Sequence, residues 1–359
     1  MTRKFIFSAL FFILALMFLP PAFASESNKK IFKLGIALPL SGGAAWMGDS
    51  AKKAVDLYFL KTPEAKERLE VIYEDVATNN IPQGISAVRS LIEIQKIDAL
   101  ILFVTPVAMA VANDIDRYQI PTITITGGNA AKGHNYIVNI WHSPNAEADA
   151  VYGEILKHPE WSSLGVITSE QESMIVRTQA LMAAFERNTA TKIIAINETL
   201  INESVIDLLA IKTKQKAPSA VILNLMPGQV SLLAKKLKEK HYSGQIIGCM
   251  TMADQREQEM AAGALNGALY VDSNLSDSFS SLYKNTYQTN PPPVSANTYD
   301  ALSIIDDAVK KGLGQDREQL NTALRVKNFS GALGKFSFID NGQNEFDLKA
   351  KMLKVPDMR

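Results

Sequence analysis

The chain has 359 residues, in which 37 Lys and Arg balance 37 Asp and Glu. That balance gives no electrostatic footing for nucleic acid or a membrane surface, and the single cysteine, Cys249, excludes an internal disulfide. The length passes the roughly 250–300 residues that one hydrophobic core serves, so two lobes are expected.

The first element reads as an export signal. Arg3 and Lys4 form a positive start, Phe5 to Leu19 is apolar except for Ser8, and Ala22-Phe23-Ala24 fits small-x-small cleavage. The apolar run is shorter than the roughly 20 residues that span a bilayer, so cleavage after Ala24 is expected rather than anchoring. Residues 1–24 are read as signal peptide and the remainder as periplasmic. Cleavage removes two bases and no acid.

Strand-like and helix-like runs then alternate. Residues 32–38 read as a buried strand, 49–60 as a helix, 69–75 as a strand and 82–95 as a helix with Pro82 in its first turn. A strand over 98–103 leads to Thr105-Pro106, read as the cap and first turn of a helix. A strand over 120–126 ends at Gly127-Gly128. A second set follows, with helices over 144–157, 174–187, 204–215 and 227–240. Its strands are 164–168, 192–197, 220–225 and 245–250. Alternation of this kind predicts parallel sheets with helical crossovers, and two sets predict an α/β fold of two doubly wound, Rossmann-like lobes. The tail reads as helices over 276–289, 296–311 and 316–326. A hairpin turning at Asp340-Asn341-Gly342 and returning over 346–355 follows.

Several enzyme motifs fail on inspection. Gly43 to Gly48 has phosphate-loop spacing, but Asp49-Ser50 stands where Lys and Ser or Thr are needed, and a carboxylate there repels phosphate. Ser50-Ala-Lys-Lys53 has the Ser-x-x-Lys spacing without its partner motifs. His134, His142, His158 and His241 lack ligand spacing to one another or to Cys249, so no metal is expected. Cys249 closes an apolar run and reads as a buried thiol. No catalytic residue and no cofactor are predicted.

Ligands of parallel α/β sheets sit at the carboxyl ends of strands. Three such ends carry suitable chemistry: Ser41-Gly-Gly-Ala-Ala-Trp46-Met47-Gly48, Phe103-Val-Thr105-Pro106 and Thr124-Ile-Thr126-Gly127-Gly128-Asn129. Thr105 and Thr126 supply hydroxyls, a helix N-terminus supplies free N–H groups, and Gly128 lets backbone approach closely. Together they read as a cradle for a carboxylate.

The ordered set Gly35-Ile-Ala-Leu-Pro-Leu-Ser-Gly-Gly43, Tyr73-Glu-Asp75, Ile120-Pro-Thr-Ile-Thr124, Asn297-Thr-Tyr-Asp-Ala301 and Gly331-x-x-Gly334-x-x-x-Phe338-x-x-x-Gly342 covers nearly all of residues 31–355. It resembles the periplasmic leucine/isoleucine/valine-binding protein family, the type I solute-binding proteins of branched-chain amino-acid-type ABC transporters. The resemblance implies two lobes joined by three hinge crossovers, with the ligand trapped between them. It implies an N-terminal lobe of residues 31–145 plus 274–332 and a C-terminal lobe of 146–273 plus 333–359. It places the carboxylate-binding hydroxyl on Thr105, two further cradle positions on Thr126 and Gly128, and the loop that closes over the ligand on Met47 beside Trp46. The second-lobe positions fall on Ser173, Met226 and Met250. The family has aromatic residues near the first two and an ammonium-pairing acid near the third, and this chain departs from it at all three. A buried ammonium without a carboxylate costs several kcal/mol. Two ligands therefore stay open: an aromatic or keto acid lacking an α-ammonium, or an amino acid whose charge is met by Asp254, Glu170 or Glu172. The implied role is delivery of a small carboxylate-bearing molecule to an ABC transporter permease at the inner membrane, by a monomer that binds no nucleic acid. The alternative is a periplasmic sensor feeding a signalling receptor.

Overall fold

The computed structural model describes residues 31–78, 80–128, 130–187, 192–200, 203–338, 344–346 and 348–353. The export signal and the Asp340-Asn341-Gly342 turn lie outside the described residues.

The first sheet is wholly parallel. It contains β1 (Phe32–Leu38), β2 (Leu69–Asp75), β3 (Ala99–Phe103), β4 (Thr122–Ile125) and β5 (Ile137–Asn139), in the order β2-β1-β3-β4-β5. Its helices are α1 (Ala45–Lys61), α2 (Ile81–Glu93) and α3 (Thr105–Tyr118). Side chains alternate across the sheet as a strand demands. Leu34, Ile36 and Leu38 enter a core with Val55 and Leu57 of α1, whereas Ala37, Leu100 and Leu102 enter a second core with Val88, Leu91 and Val107 of α2 and α3.

The second sheet repeats this order. After α4 (Pro144–Ile155) come β6 (Ser163–Ser169), α5 (Glu172–Glu186), β7 (Lys192–Leu200), α6 (Ile206–Lys216), β8 (Ala220–Asn224), α7 (Gln229–Glu239), β9 (Gln245–Gly248), α8 (Gln255–Met260) and β10 (Leu269–Ser273). The parallel strands run β7-β6-β8-β9-β10, and a late strand, β14 (Leu348–Met352), adds antiparallel to β10. Each lobe thus reverses its winding between its first and third strands: β1 and β3 in one, β6 and β8 in the other. Neither β5 nor β10 is among the strands read from the sequence.

The tail helices α9 (Asp277–Tyr287), α10 (Ser295–Lys310) and α11 (Arg317–Leu324) return to the first lobe, where Phe279, Leu302, Ile305 and Leu320 join the core of β1. Asp306 of α10 accepts from Tyr58 Oη at 2.9 Å and from both Nε and Nη2 of Arg68, at 3.0 and 2.8 Å. Burial and the Asp306 carboxylate together push the Tyr58 phenol far up, so it stays a neutral donor. A small three-stranded sheet, β11 (Phe329–Gly331), β12 (Gly334–Phe338) and β13 (Asn344–Phe346), packs Phe336 and Phe338 against the same core.

One face of α10 holds the places where the chain passes between the sheets. Asn297 Nδ2 donates to Ile140 O at 2.7 Å, on the segment from β5 to α4. Asp300, 1% exposed, accepts from Ala332 N at 2.7 Å and Leu333 N at 2.8 Å. Ala332 O in turn accepts from Ser276 N at 2.9 Å, on the segment from β10 to α9. On the far side of the first passage, Ser143 caps α4 by accepting from Ala146 N, and Glu147 is buried between Arg177, with which it hydrogen-bonds, and His142 Nε2 at 3.2 Å. Burial pushes the Glu147 carboxyl up, but Arg177 and His142 outweigh it and hold it below the ordinary carboxylate value.

Burial pushes the Asp300 carboxyl up to about 7, against the downward pull of the two backbone N–H groups. The folded state then holds this proton more tightly than the unfolded chain, so stability falls as pH rises from about 4 through about 7. Asp300→Asn removes that titration. Urea denaturation should show the wild type losing on the order of 4 kcal/mol relative to Asp300→Asn across that window, all other slopes being shared.

Candidate functional site

The winding reverses between β1 and β3, and the carboxyl ends of strands at such a reversal are where parallel sheets bind ligands in a crevice. Three segments border it. The loop after β1 is pinned by Asp75, which accepts from Leu40 N at 2.8 Å and Ser41 Oγ at 2.5 Å. The helix that follows begins at Ala45, four residues before the expected start, so Trp46 and Met47 lie in its first turn rather than in a loop. Successive helical residues point about 100° apart. Trp46 accordingly faces Arg256 of the other lobe, whereas Met47 packs toward the first core. Gly48 lets this turn sit on the Pro39 carbonyl, where a Cβ would overlap the oxygen.

The second segment is the start of α3. Val104, not Thr105, is the capping residue, and Thr105 is the first helical residue. Val104 holds φ +68° and ψ +97°, a conformation that costs a β-branched residue roughly 1–3 kcal/mol. No side chain caps this helix, and Pro106 supplies no N–H. The N-terminal amides therefore stay available for an acceptor, with Thr105 buried beside them.

The third segment follows β4. Asn139 of β5 grips Thr126 from both sides of its backbone, accepting from its N–H at 3.3 Å and donating to its carbonyl at 3.0 Å. The Thr126 hydroxyl is buried, yet Oγ1 has no hydrogen-bond partner. Gly128 touches the Thr105 methyl so closely that any Cβ would overlap Cγ2. Thr105 and Gly128 are thus in contact, with Thr126 two residues before Gly128.

The second lobe meets this crevice from its own reversal point, between β6 and β8. Ser173, at the start of α5, lies against Gly127, and Trp141 Nε1 borders the same glycine. Met226 follows β8 and is half-buried, and Met250 opens the 3-10 turn Met250–Ala253 after β9 with 6% exposure. Their strand ends are tied by Thr251 Oγ1, which donates to Leu225 O at 3.4 Å. Cys249 is buried and contacts Thr251 Oγ1 at 2.9 Å. Asp254 caps α8 and is engaged on both oxygens by Arg256, at 3.2 and 2.8 Å, while Glu170 and Glu172 are exposed.

Arg256, Trp141 and Asn139 escape the sequence reading. Arg256 sits on a six-residue helix too short to show a period, and Asn139 on a strand of three. Only Trp141 gives a signal, as an aromatic residue just before the capping Ser143. Among the described residues, no group of three or more His, Cys, Asp or Glu could hold a metal ion, and no helix is long and apolar enough to cross a membrane.

A family model for periplasmic binding proteins matches residues 32–355. Among solved structures, the leucine-binding protein LivK of Thermotoga maritima superposes with TM-score 0.81 at 18% identity, covering 90% of this chain and 96% of its own. A solute-binding protein of an ABC transporter from R. palustris, in complex with benzoate, gives TM-score 0.81 at 19% identity, with 90% and 93% coverage. LivJ of Streptococcus pneumoniae, in complex with isoleucine, gives 0.79 at 16% identity, with 91% and 100% coverage. At such identities the likeness is one of fold. No curated protein matches the chain.

The contact between Gly128 and Thr105 generates a test. Gly128→Ala should cost about 1–3 kcal/mol of stability by overpacking. Thr105→Ser, which deletes the methyl that the new Cβ meets, should recover most of that loss in the double variant, as read by urea denaturation.

Proposed function

The chain belongs to the periplasmic binding protein family, and we propose that it captures a small carboxylate-bearing ligand between its lobes and delivers it to an ABC transporter permease. In this reading it acts in the periplasm after removal of residues 1–24, as a monomer and without catalysis. The N-terminal lobe is 31–145 plus the segment from 274, and the C-terminal lobe is 146–273 plus the chain end. Leu333, Phe336 and Phe338 pack in the core of the first sheet.

The observation that carries the proposal is the buried, unpartnered hydroxyl of Thr126 beside the uncapped start of α3. A buried hydroxyl without a partner costs about 1–3 kcal/mol, a cost that a bound acceptor removes. A carboxylate fits the site, because it accepts from hydroxyls and helix N-terminal amides at once.

For the ligand's other end, we favour an aromatic or keto acid lacking an α-ammonium. Met226 and Met250 offer a polarisable, adaptable wall without charge. Asp254 is already paired with Arg256, and Glu170 and Glu172 face solvent. The likeness to a benzoate-bound protein as well as to leucine and isoleucine binders makes both ligand classes compatible with the fold.

Calorimetry with benzoate, leucine and isoleucine tests this. Benzoate should bind and, at 100 times its Kd, stabilise the protein by about 2.7 kcal/mol. Micromolar leucine binding with no response to benzoate would overturn the ligand class. Thr126→Val should weaken benzoate about tenfold or more without lowering the stability of the free protein. An unchanged Kd would overturn the cradle.

A further inference from the structure

The lobes meet at a contact outside the carboxylate cradle. Trp46 stands in the first turn of α1, and the Arg256 guanidinium of α8 lies over its ring, with Cζ 4.9 Å from the centroid. These residues belong to different sheets and are far apart in sequence. The guanidinium is not free to wander. Asp254 takes Nε and Nη2 in a two-point ion pair while its Oδ1 also accepts from Arg256 N at 2.9 Å. Asp254 is 3% exposed, so the fork is held from a buried anchor. Glu257 fixes the same short helix from its other side, accepting from Gly228 N and from Ser231 N at 3.0 Å. Arg256 therefore reaches the indole from a rigid mount, although its side chain is 52% exposed.

We propose that the Trp46–Arg256 stack is an interlobe latch, oriented by Asp254, that holds the two lobes closed over the site. The proposal rests on the two-lobed binding reading, since a latch matters only where lobes part and meet. Its chemistry is a cation on the negative face of an indole, an attraction of roughly 0.5–1 kcal/mol at an exposed site, about a two- to fivefold change in an equilibrium constant. Asp254 acts as a positioning residue. With its charge spent on Arg256, it sets the guanidinium plane and leaves Nη1 pointing away from the pair. Opening the cleft breaks the stack without separating Arg256 from Asp254, because both move with the second lobe. The latch is thus reversible and carries its own counter-charge.

Acrylamide quenching of tryptophan emission in the ligand-free protein tests the latch directly. The chain has three tryptophans; Trp161 supplies a background common to all variants, and Trp141, beside Gly127 where the lobes meet, reports opening together with Trp46. Arg256→Ala should raise quenching, and in a Trp46→Leu background the same substitution should change nothing. Asp254→Ser keeps a helix cap but removes the anchor, so it should raise quenching as Arg256→Ala does. Equal quenching of wild type and Arg256→Ala overturns the latch. In benzoate titrations, Arg256→Ala should weaken binding about two- to fivefold, and no further when added to Trp46→Leu. Additive losses also overturn it. Should benzoate fail to bind the wild type, the ligand class falls while quenching still decides the latch.

Discussion

The structure depends on one helix holding the chain where it changes lobes. Asn297 and Asp300 stand three residues apart on α10, hence on one face, and both are nearly fully buried. Asn297 fixes the Ile140 carbonyl, and Asp300 gathers the amides of Ala332 and Leu333, which lean through Ala332 O on Ser276. Two sheets of the same winding could be joined in many relative poses. These hydrogen bonds select among them, because each buried backbone group they serve would otherwise lie unpaired at about 1–3 kcal/mol. The same carboxylate is expensive to bury, and burial accordingly raises its affinity for a proton. A polar clamp at a joint differs from an apolar one in this respect: it is directional, so it fixes geometry, and it is hydrated when opened, so it permits motion.

Where the clamp fixes the lobes, the windings fix the crevice. Both sheets reverse at equivalent strands, and the carboxyl ends at those points carry Thr105 and Trp46 on one side and Ser173 and Met226 on the other. The local cost is visible at Val104, whose backbone is forced into a sparsely populated region so that β3 can pass directly into α3. A glycine there would relax the turn. A valine there instead stores strain at the entry to α3.

The alternation of strands and helices is legible in the sequence because it rests on period, and so is the close approach of Gly128 to Thr105; Ser276 and Asp316, read as the first residues of their helices, are their caps. Met47 is misread as a loop residue for a related reason. Gly42 and Gly43 suggest a longer loop, but Asp75, some 35 residues away, ties Leu40 and Ser41 down and lets α1 start at Ala45. The three-residue β5 and the six-residue α8 are too short for a period to emerge, so Asn139 and Arg256 stay hidden with them. The binding positions carried over from the family likeness fall at strand ends in the structure, a placement that topology alone explains. Which side chain turns into the crevice is set by helix phase and long-range pairs.

Charge decides what the second wall can accept. The end of β9 carries Met250 rather than an acid, and the buried Asp254 that follows it is paired with a guanidinium that lies over Trp46. Reversing that arrangement to serve an ammonium would mean breaking a two-point ion pair anchored in a buried carboxylate, leaving Arg256 without its partner and the α8 cap without its charge. Such a break costs several kcal/mol before any new contact forms. A ligand with an apolar body asks for no such rearrangement. In the proposed reading it leaves the Asp254–Arg256 pair intact and sets its carboxylate against the Thr126 hydroxyl, which lacks a partner, while the guanidinium stays on the indole.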